Sequence, residues 1–238
     1  MLANKYQVGH IINNAYGLQC SRIASDITAA TLKPDISRVD AIISSTDKNF
    51  MVPVGGSVIY SHNKKGLVES INKFYPGRAS GGPIIDLFLT FLEMGQENLK
   101  RLVKDRKENY EYLKQHLSKL LETYNERILE TKNNKISMAC TLTTLNAKVF
   151  TPHGLSPTFF GSYLFSRRIS GIRVVAQSLN PSKINTETFR NYGSHSEAYP
   201  NLPYFTAAAS IGQTKREIEV FIQRLEEAFK YFYKQDAR

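Results

Sequence analysis

Cysteine is scarce in this chain. Cys20 and Cys140 are the two present, far apart and with no paired spacing. That argues against a disulfide framework and against a zinc site, so no metal is expected, and it fits a reducing compartment. Long hydrophobic runs are missing too. No stretch approaches a membrane span, so no membrane partner is expected. Residues 1–10 carry neither the apolar core of a signal peptide nor the arginines of a transit peptide, and we read the protein as cytoplasmic. No repeat or low-complexity segment stands out. Acidic residues are in the minority. Lys and Arg number 31 against 21 Asp and Glu, a formal net charge of +10. That excess favours a polyanionic partner such as RNA, although many basic proteins bind no nucleic acid.

What is present is ordinary for a globular protein: 238 residues, 42% hydrophobic and 22% charged. That is enough for one large or two small domains with real cores. The apolar stretch 8–12 ends in Asn13-Asn14 and a Tyr-Gly turn, as a buried strand does. Residues 19–30 predict a helix, closed by Pro34. Residues 39–44 and 57–61 predict strands, and the alternation of strand and helix predicts an α/β layer. From Gly95 onward, Leu99, Leu102, Val103, Leu113, Leu117 and Leu121 belong to a stripe spaced by threes and fours, the pattern of a long amphipathic helix. Lys132-Asn133-Asn134-Lys135 is a polar break that opens a second, smaller domain. Its predicted elements are strands over 136–142 and 171–175 and a helix near 159–168. Thr214 and Glu217 have capping-box spacing at the start of a final helix with an apolar stripe from Ile218 to Phe232.

The most informative stretch is Ser44-Ser45-Thr46-Asp47-Lys48-Asn49-Phe50, followed by Met51-Val52-Pro53-Val54-Gly55-Gly56. It sets one lysine in a short polar turn between two apolar strands. A lysine screened from water there loses its proton and becomes an amine nucleophile, the chemistry of a Schiff base. A lone lysine at a strand end is ordinarily a solvated surface group. Two further clusters change that reading: Asn13-Asn14-Ala15-Tyr16-Gly17 upstream, and Tyr75-Pro76-Gly77-Arg78-Ala79-Ser80 downstream. With Phe165-Ser166-Arg167-Arg168 and Ser194-His195, the chain resembles the O-phosphoseryl-tRNA:selenocysteinyl-tRNA synthase family along nearly its whole length. It is similar to the C-terminal half only, because the family's enzymes are much longer.

The resemblance implies a fold-type I pyridoxal phosphate enzyme of α/β class. Residues 1–94 would be the C-terminal part of the cofactor-binding large domain, 95–131 a long connecting helix, and 132–238 a small C-terminal α+β domain. It implies Lys48 as the lysine that holds pyridoxal 5'-phosphate and acts as general base. Asn13 would stand beneath the ring nitrogen, where other fold-type I enzymes have an acid, and Ala15 would pack on the ring. A neutral amide cannot hold that nitrogen protonated by charge pairing, so the electron sink is weaker. It suffices for β-elimination with phosphate as leaving group. Arg78 would clamp the substrate phosphate with two hydrogen bonds. Arg167 and Lys234 would contact tRNA(Sec). The sequence departs from the family's third tRNA-contacting arginine, reading Leu32-Lys33-Pro34-Asp35. Lys64 and Lys65 read as an exposed pair beside a turn. Arg190 has no carboxylate to bind in an aminoacyl ester, and His195 reads as a hydrogen-bonded structural histidine.

The implied reaction converts O-phosphoseryl-tRNA(Sec) to selenocysteinyl-tRNA(Sec) with selenophosphate as donor, in a homotetramer. Two alternatives stay open. One is a related enzyme that transfers sulfur to phosphoseryl-tRNA. The other is a non-enzymatic tRNA-binding or assembly fragment. The second follows from three things the sequence lacks: a glycine-rich phosphate cup, an aromatic to stack on the cofactor's far face, and a basic loop for selenophosphate.

Overall fold

Strand and helix signals in the first third of the chain resolve into a parallel βαβ step. The computed structural model describes residues 2–62, 64–75, 80–176, 181–189 and 202–236. They form two units. The first comprises Met1–Lys107, Asn133–Ile136 and Ser210–Gly212, and the second Glu108–Lys132, Ser137–Ala209 and Gln213–Arg238.

The first unit opens with α1, Leu2–Lys5, and β1, Ile11–Asn13. A 3-10 turn, Gly17–Gln19, leads into α2, Ser21–Thr31, and then β2, Ala41–Ser45. β1 and β2 pair in parallel, with Asn13 opposite Ile43, and α2 supplies the crossover that parallel pairing requires. The five-residue helix α3, Thr46–Phe50, leads to β3, Ser57–Tyr60, which returns antiparallel to β2. The polar turn predicted around Lys48 is therefore one helical turn, closed at Met51 in the left-handed conformation. Helix α4, Lys65–Phe74, follows. At its start Lys64 is exposed, as expected, and it also donates to Asp40 at 2.5 Å; the same buried carboxylate accepts from the His10 amide and from Arg38.

Helix α5, Gly82–Thr123, begins thirteen residues before the predicted start and is broken at Gly95, where φ is +64°. A glycine takes that angle without steric cost. The early segment differs from the expectation because its apolar positions, Ile84, Ile85, Phe88, Leu89 and Leu92, lie on an exposed face and the polar Asp86 and Thr90 on the half-buried one, the reverse of a core-facing helix.

The second unit contains β4, Ser137–Thr141; α6, Thr143–Leu145, running into a π-helical turn at Asn146–Phe150; and α7, Thr158–Ser166. Next come β5, Arg173–Val175; the hairpin of β6, Ser182–Ile184, and β7, Glu187–Phe189; then β8, Tyr204–Ala208, and α8, Lys215–Asp236. β8 lies between β4 and β5, antiparallel to both. The core is continuous: Leu113, Leu117 and Leu121 of α5 meet Phe160, Phe205, Leu225 and Phe229. Glu126 is buried and accepts from Thr143, Thr144 and Leu145 amides, so it caps α6. The capping box at α8 forms as predicted, with Thr214 N donating to Glu217 at 2.7 Å and Glu217 N to Thr214 Oγ1 at 3.2 Å.

Candidate active site

Polar residues, not charges, fasten the Lys48 turn to the end of β1. The Ala15 carbonyl accepts from Ser45 N at 3.1 Å and from Asn49 Nδ2 at 2.8 Å. Asn49 also donates to the Ser45 carbonyl at 2.6 Å, which closes the first turn of α3. Gln19 Nε2 donates to the Lys48 carbonyl. Arg106, 1% exposed, donates to the carbonyls of Gln19 and Lys135 and so steadies the residue that steadies Lys48.

The segment after β1 is packed too tightly for a side chain at Gly17. A Cβ there would lie 1.8 Å from Asn14 Oδ1. Gly56 answers a similar demand, since a Cβ there would meet Thr46 Oγ1 at 2.5 Å. Asn13, Ala15 and Gly17 line an open cleft of about 430 Å³ together with Ile23, Asp26 and Asn134.

The Lys48 side chain is 51% exposed, with Nζ 3.7 Å from Asp47 Oδ2. The Ser45 hydroxyl bonded to Asp47 holds that carboxyl below its usual range; burial opposes this, and the Lys48 charge adds to it. A pyridoxal group needs an amine, a partner for its ring nitrogen, and a small residue against its ring. Lys48, Asn13 and Ala15 are residues of these types, and the hydrogen bonds of Ser45 and Asn49 to the Ala15 carbonyl tie the Lys48 turn to the segment that carries the other two. Two buried polar atoms beside the lysine, Thr46 Oγ1 and Asn49 Oδ1, have no hydrogen-bond partner among the described residues. Unsatisfied buried oxygens next to an exposed amine fit a site built to receive a polar ligand.

Arg78, Arg190 and His195 are outside the described residues. Arg167 caps α7 in the second unit, with its guanidinium carbon 3.4 Å from the centre of the Tyr163 ring. Tyr163 in turn stacks on Tyr231 of α8 at 4.5 Å and 24°. Lys234 is exposed in the last turn of α8. Sequence reasoning missed Gln19, Asn49, Arg106, Tyr163 and Tyr231. Tyr163, four residues before Arg167 on one helix, is the one that helical spacing could have flagged.

Among the described residues no group of His, Cys, Asp and Glu could hold a metal ion, and no helix is long and apolar enough to cross a membrane. Cys20 and Cys140 are buried and unpaired as a disulfide, and burial pushes the Cys140 thiol up.

The family model for O-phosphoseryl-tRNA(Sec) selenium transferase, SepSecS, matches residues 1–230. A selenium transferase of that name from Dictyostelium discoideum is 44% identical over 238 residues, covering 96% of this chain and 49% of the relative. One from Caenorhabditis elegans is 37% identical over 233 residues, covering 98% and 46%. The crystal structure of an archaeal O-phosphoseryl-tRNA(Sec) selenium transferase superposes with a TM-score of 0.72 at 26% identity, over 95% of this chain and 46% of that one. Oryza sativa TDC with PLP and tryptamine superposes at 0.59 with 11% identity, over 97% and 44%, which speaks to fold alone. These neighbours are fold-type I, PLP-dependent enzymes, and this chain has their fold. It spans about half the length of the relatives it matches. On the match to residues 1–230 and these identities, the chain belongs to the O-phosphoseryl-tRNA(Sec) selenium transferase family.

Proposed function

We propose that the protein converts O-phosphoseryl-tRNA(Sec) to selenocysteinyl-tRNA(Sec), by β-elimination of phosphate and selenium transfer from selenophosphate. The observation that carries this reading is the Lys48 turn, hydrogen-bonded to the Asn13–Ala15 strand end through the Ala15 carbonyl, in a chain of this family. Lys48, Asn13 and Ala15 hold pyridoxal 5'-phosphate. When bound, that group supplies an electron sink that acidifies the Cα–H of the phosphoseryl group.

The chain's own residues do the rest. Lys48 Nζ takes the α-proton as general base. Arg78 binds the departing phosphate through paired N–H donors, which a lysine cannot present. Arg167 and Lys234 bind the acceptor arm of tRNA(Sec), consistent with the net charge of +10. In this reading residues 1–94 belong to the cofactor-binding domain, 95–131 connect, and 132–238 form the small domain. The protein works in the cytoplasm as a homotetramer.

A second reading is favoured by one observation: Lys48 is half exposed in a chain half the length of its relatives. In it, this chain binds tRNA or assembles with another polypeptide and does not catalyse alone. The test is conversion of O-phosphoseryl-tRNA(Sec) with selenophosphate, by this chain and by this chain joined to the remaining length of a relative. Selenocysteinyl-tRNA formed by the joined protein and lost in Lys48→Ala is the expected result. Binding of tRNA without turnover in either form would replace the first reading with the second. Turnover only with a sulfur donor would identify a sulfur transferase.

A further inference from the structure

Helix α7 ends in a closed turn. Arg168 N donates to the Phe165 carbonyl and Ile169 N to the Leu164 carbonyl, both at 3.0 Å. Arg168 takes φ +61°, the left-handed angle that this closure requires and that favours glycine. Ile169 and Leu164 are both buried, and Arg224 of α8 donates from Nη1 to the Arg168 carbonyl at 3.4 Å. The backbone of Arg167, one residue before the left-handed position, is therefore held from two helices.

The side chain of Arg167 is held as well. Its guanidinium carbon is 3.4 Å from the centre of the Tyr163 ring and 5.6 Å from that of Tyr231. The two rings stack at 4.5 Å, and both meet Phe232, at 5.0 and 5.3 Å. Phe232 packs in turn on Phe150 and Phe160, each fully buried. The platform is thus rooted in the core of the second unit. Arg167 itself is exposed and donates from Nη1 to Ser166 Oγ at 3.2 Å. Ser166 Oγ donates to the Tyr163 carbonyl at 2.7 Å. Among the described residues no carboxylate pairs with Arg167, whereas Lys230 on α8 is paired with Glu226 at 2.6 Å.

A freely solvated arginine loses rotamer freedom when a partner binds, and each long side chain immobilised in this way lowers affinity. Arg167 has lost that freedom before any partner arrives. The aromatic rings cover the guanidinium on one side and leave N–H donors for a partner with paired acceptors, as nucleic acid has. We propose that Tyr163 and Tyr231 are positioning residues, which act through Arg167 by holding it in the pose that contacts tRNA. This rests on the reading of Arg167 as a tRNA-binding residue. If the stack served only to join α7 to α8, its effect on binding would be indifferent to Arg167.

Two measurements on this chain test it. The first needs no RNA. Ring currents should shift the Arg167 side-chain resonances upfield in the parent and in Tyr163→Phe; the shift should be lost in Tyr163→Leu and reduced in Tyr231→Leu. The second is a titration with a tRNA(Sec) transcript, arranged as a double-mutant cycle. Tyr163→Leu should weaken binding about two- to fivefold in the parent and not at all in the Arg167→Ala background, while Tyr163→Phe binds as the parent does. Tyr231→Leu tests the same coupling at a residue 40% exposed, where folding is not at stake. The salt dependence of affinity should not change in either tyrosine variant, since no charge is removed. An unshifted Arg167 in the parent would overturn the platform. Equal weakening by Tyr163→Leu with and without Arg167 would overturn the positioning role and leave the tRNA contact standing. If Arg167→Ala binds tRNA as the parent does, the contact itself fails and the proposal with it, and a ring-current shift that persists in the parent tells this failure from the first.

Discussion

Arg78 and Arg167 carry the same side chain, and the reading gives them different work. In the proposed reaction Arg78 would meet a phosphate, where two parallel hydrogen bonds matter more than charge. Arg78→Lys keeps the charge and removes the fork, so kcat/KM for phosphoseryl-tRNA should fall by about 1.5–3 kcal/mol of transition-state binding. An unchanged value would remove Arg78 from the site. The Arg167 guanidinium carbon lies over the Tyr163 ring, which stacks on Tyr231. A guanidinium held by its face presents its N–H edge outward, the geometry that reads a base edge. Arg167→Ala should lower discrimination between tRNAs that differ at the unpaired base before the terminal CCA. Tyr163→Leu should do the same in part, while Tyr163→Phe keeps the stack and the selectivity. Titrations at several salt concentrations check both. Lys48, Asn13, Ala15 and Arg167 stand out in the sequence because each lies in a distinctive short motif. Gln19 and Arg106 were not, since their partners are 29 and 87 positions away and only the fold brings them together.

At the scale of elements, local signals were read well and inverted ones badly. The α8 capping box was legible because its two partners are three residues apart. The first segment of α5 was not, because its apolar face points outward. Helix α4 was hidden by a lysine pair whose first member serves Asp40. That carboxylate ties three elements: the chain before β1, the start of β2, and the entry to α4. Burial raises its pKa, but the hydrogen bonds from Arg38 and Lys64 and from the His10 amide outweigh that and hold it well below the usual carboxylate range. A carboxyl depressed in the folded state stabilises above its unfolded value, near 4, and that stabilisation is lost as pH falls toward the folded value. Asp40→Asn should therefore cost about 2 kcal/mol at neutral pH. It should also flatten the loss of stability below about pH 4 relative to the parent. Urea titrations of both proteins between pH 3 and 7 measure this, and parallel curves would contradict the assignment.

Across the whole molecule the two units differ in how fully they bury their apolar residues. The second has a continuous aromatic and aliphatic core, while the first exposes five large apolar side chains on one helix face. Composition alone placed the chain as globular and basic, and it could not reveal this imbalance, because 42% hydrophobic residues say nothing about which of them are covered. The chemistry is assigned to the less complete unit, on one lysine. The most direct measurement of that claim is to incubate the chain with pyridoxal 5'-phosphate, alone and with the complementary half of a relative, reduce with borohydride, and map the modified peptide by mass spectrometry. The account predicts the adduct on Lys48 and none in Lys48→Ala. An adduct on Lys64 or Lys65 instead, or labelling spread evenly over surface lysines, would contradict it.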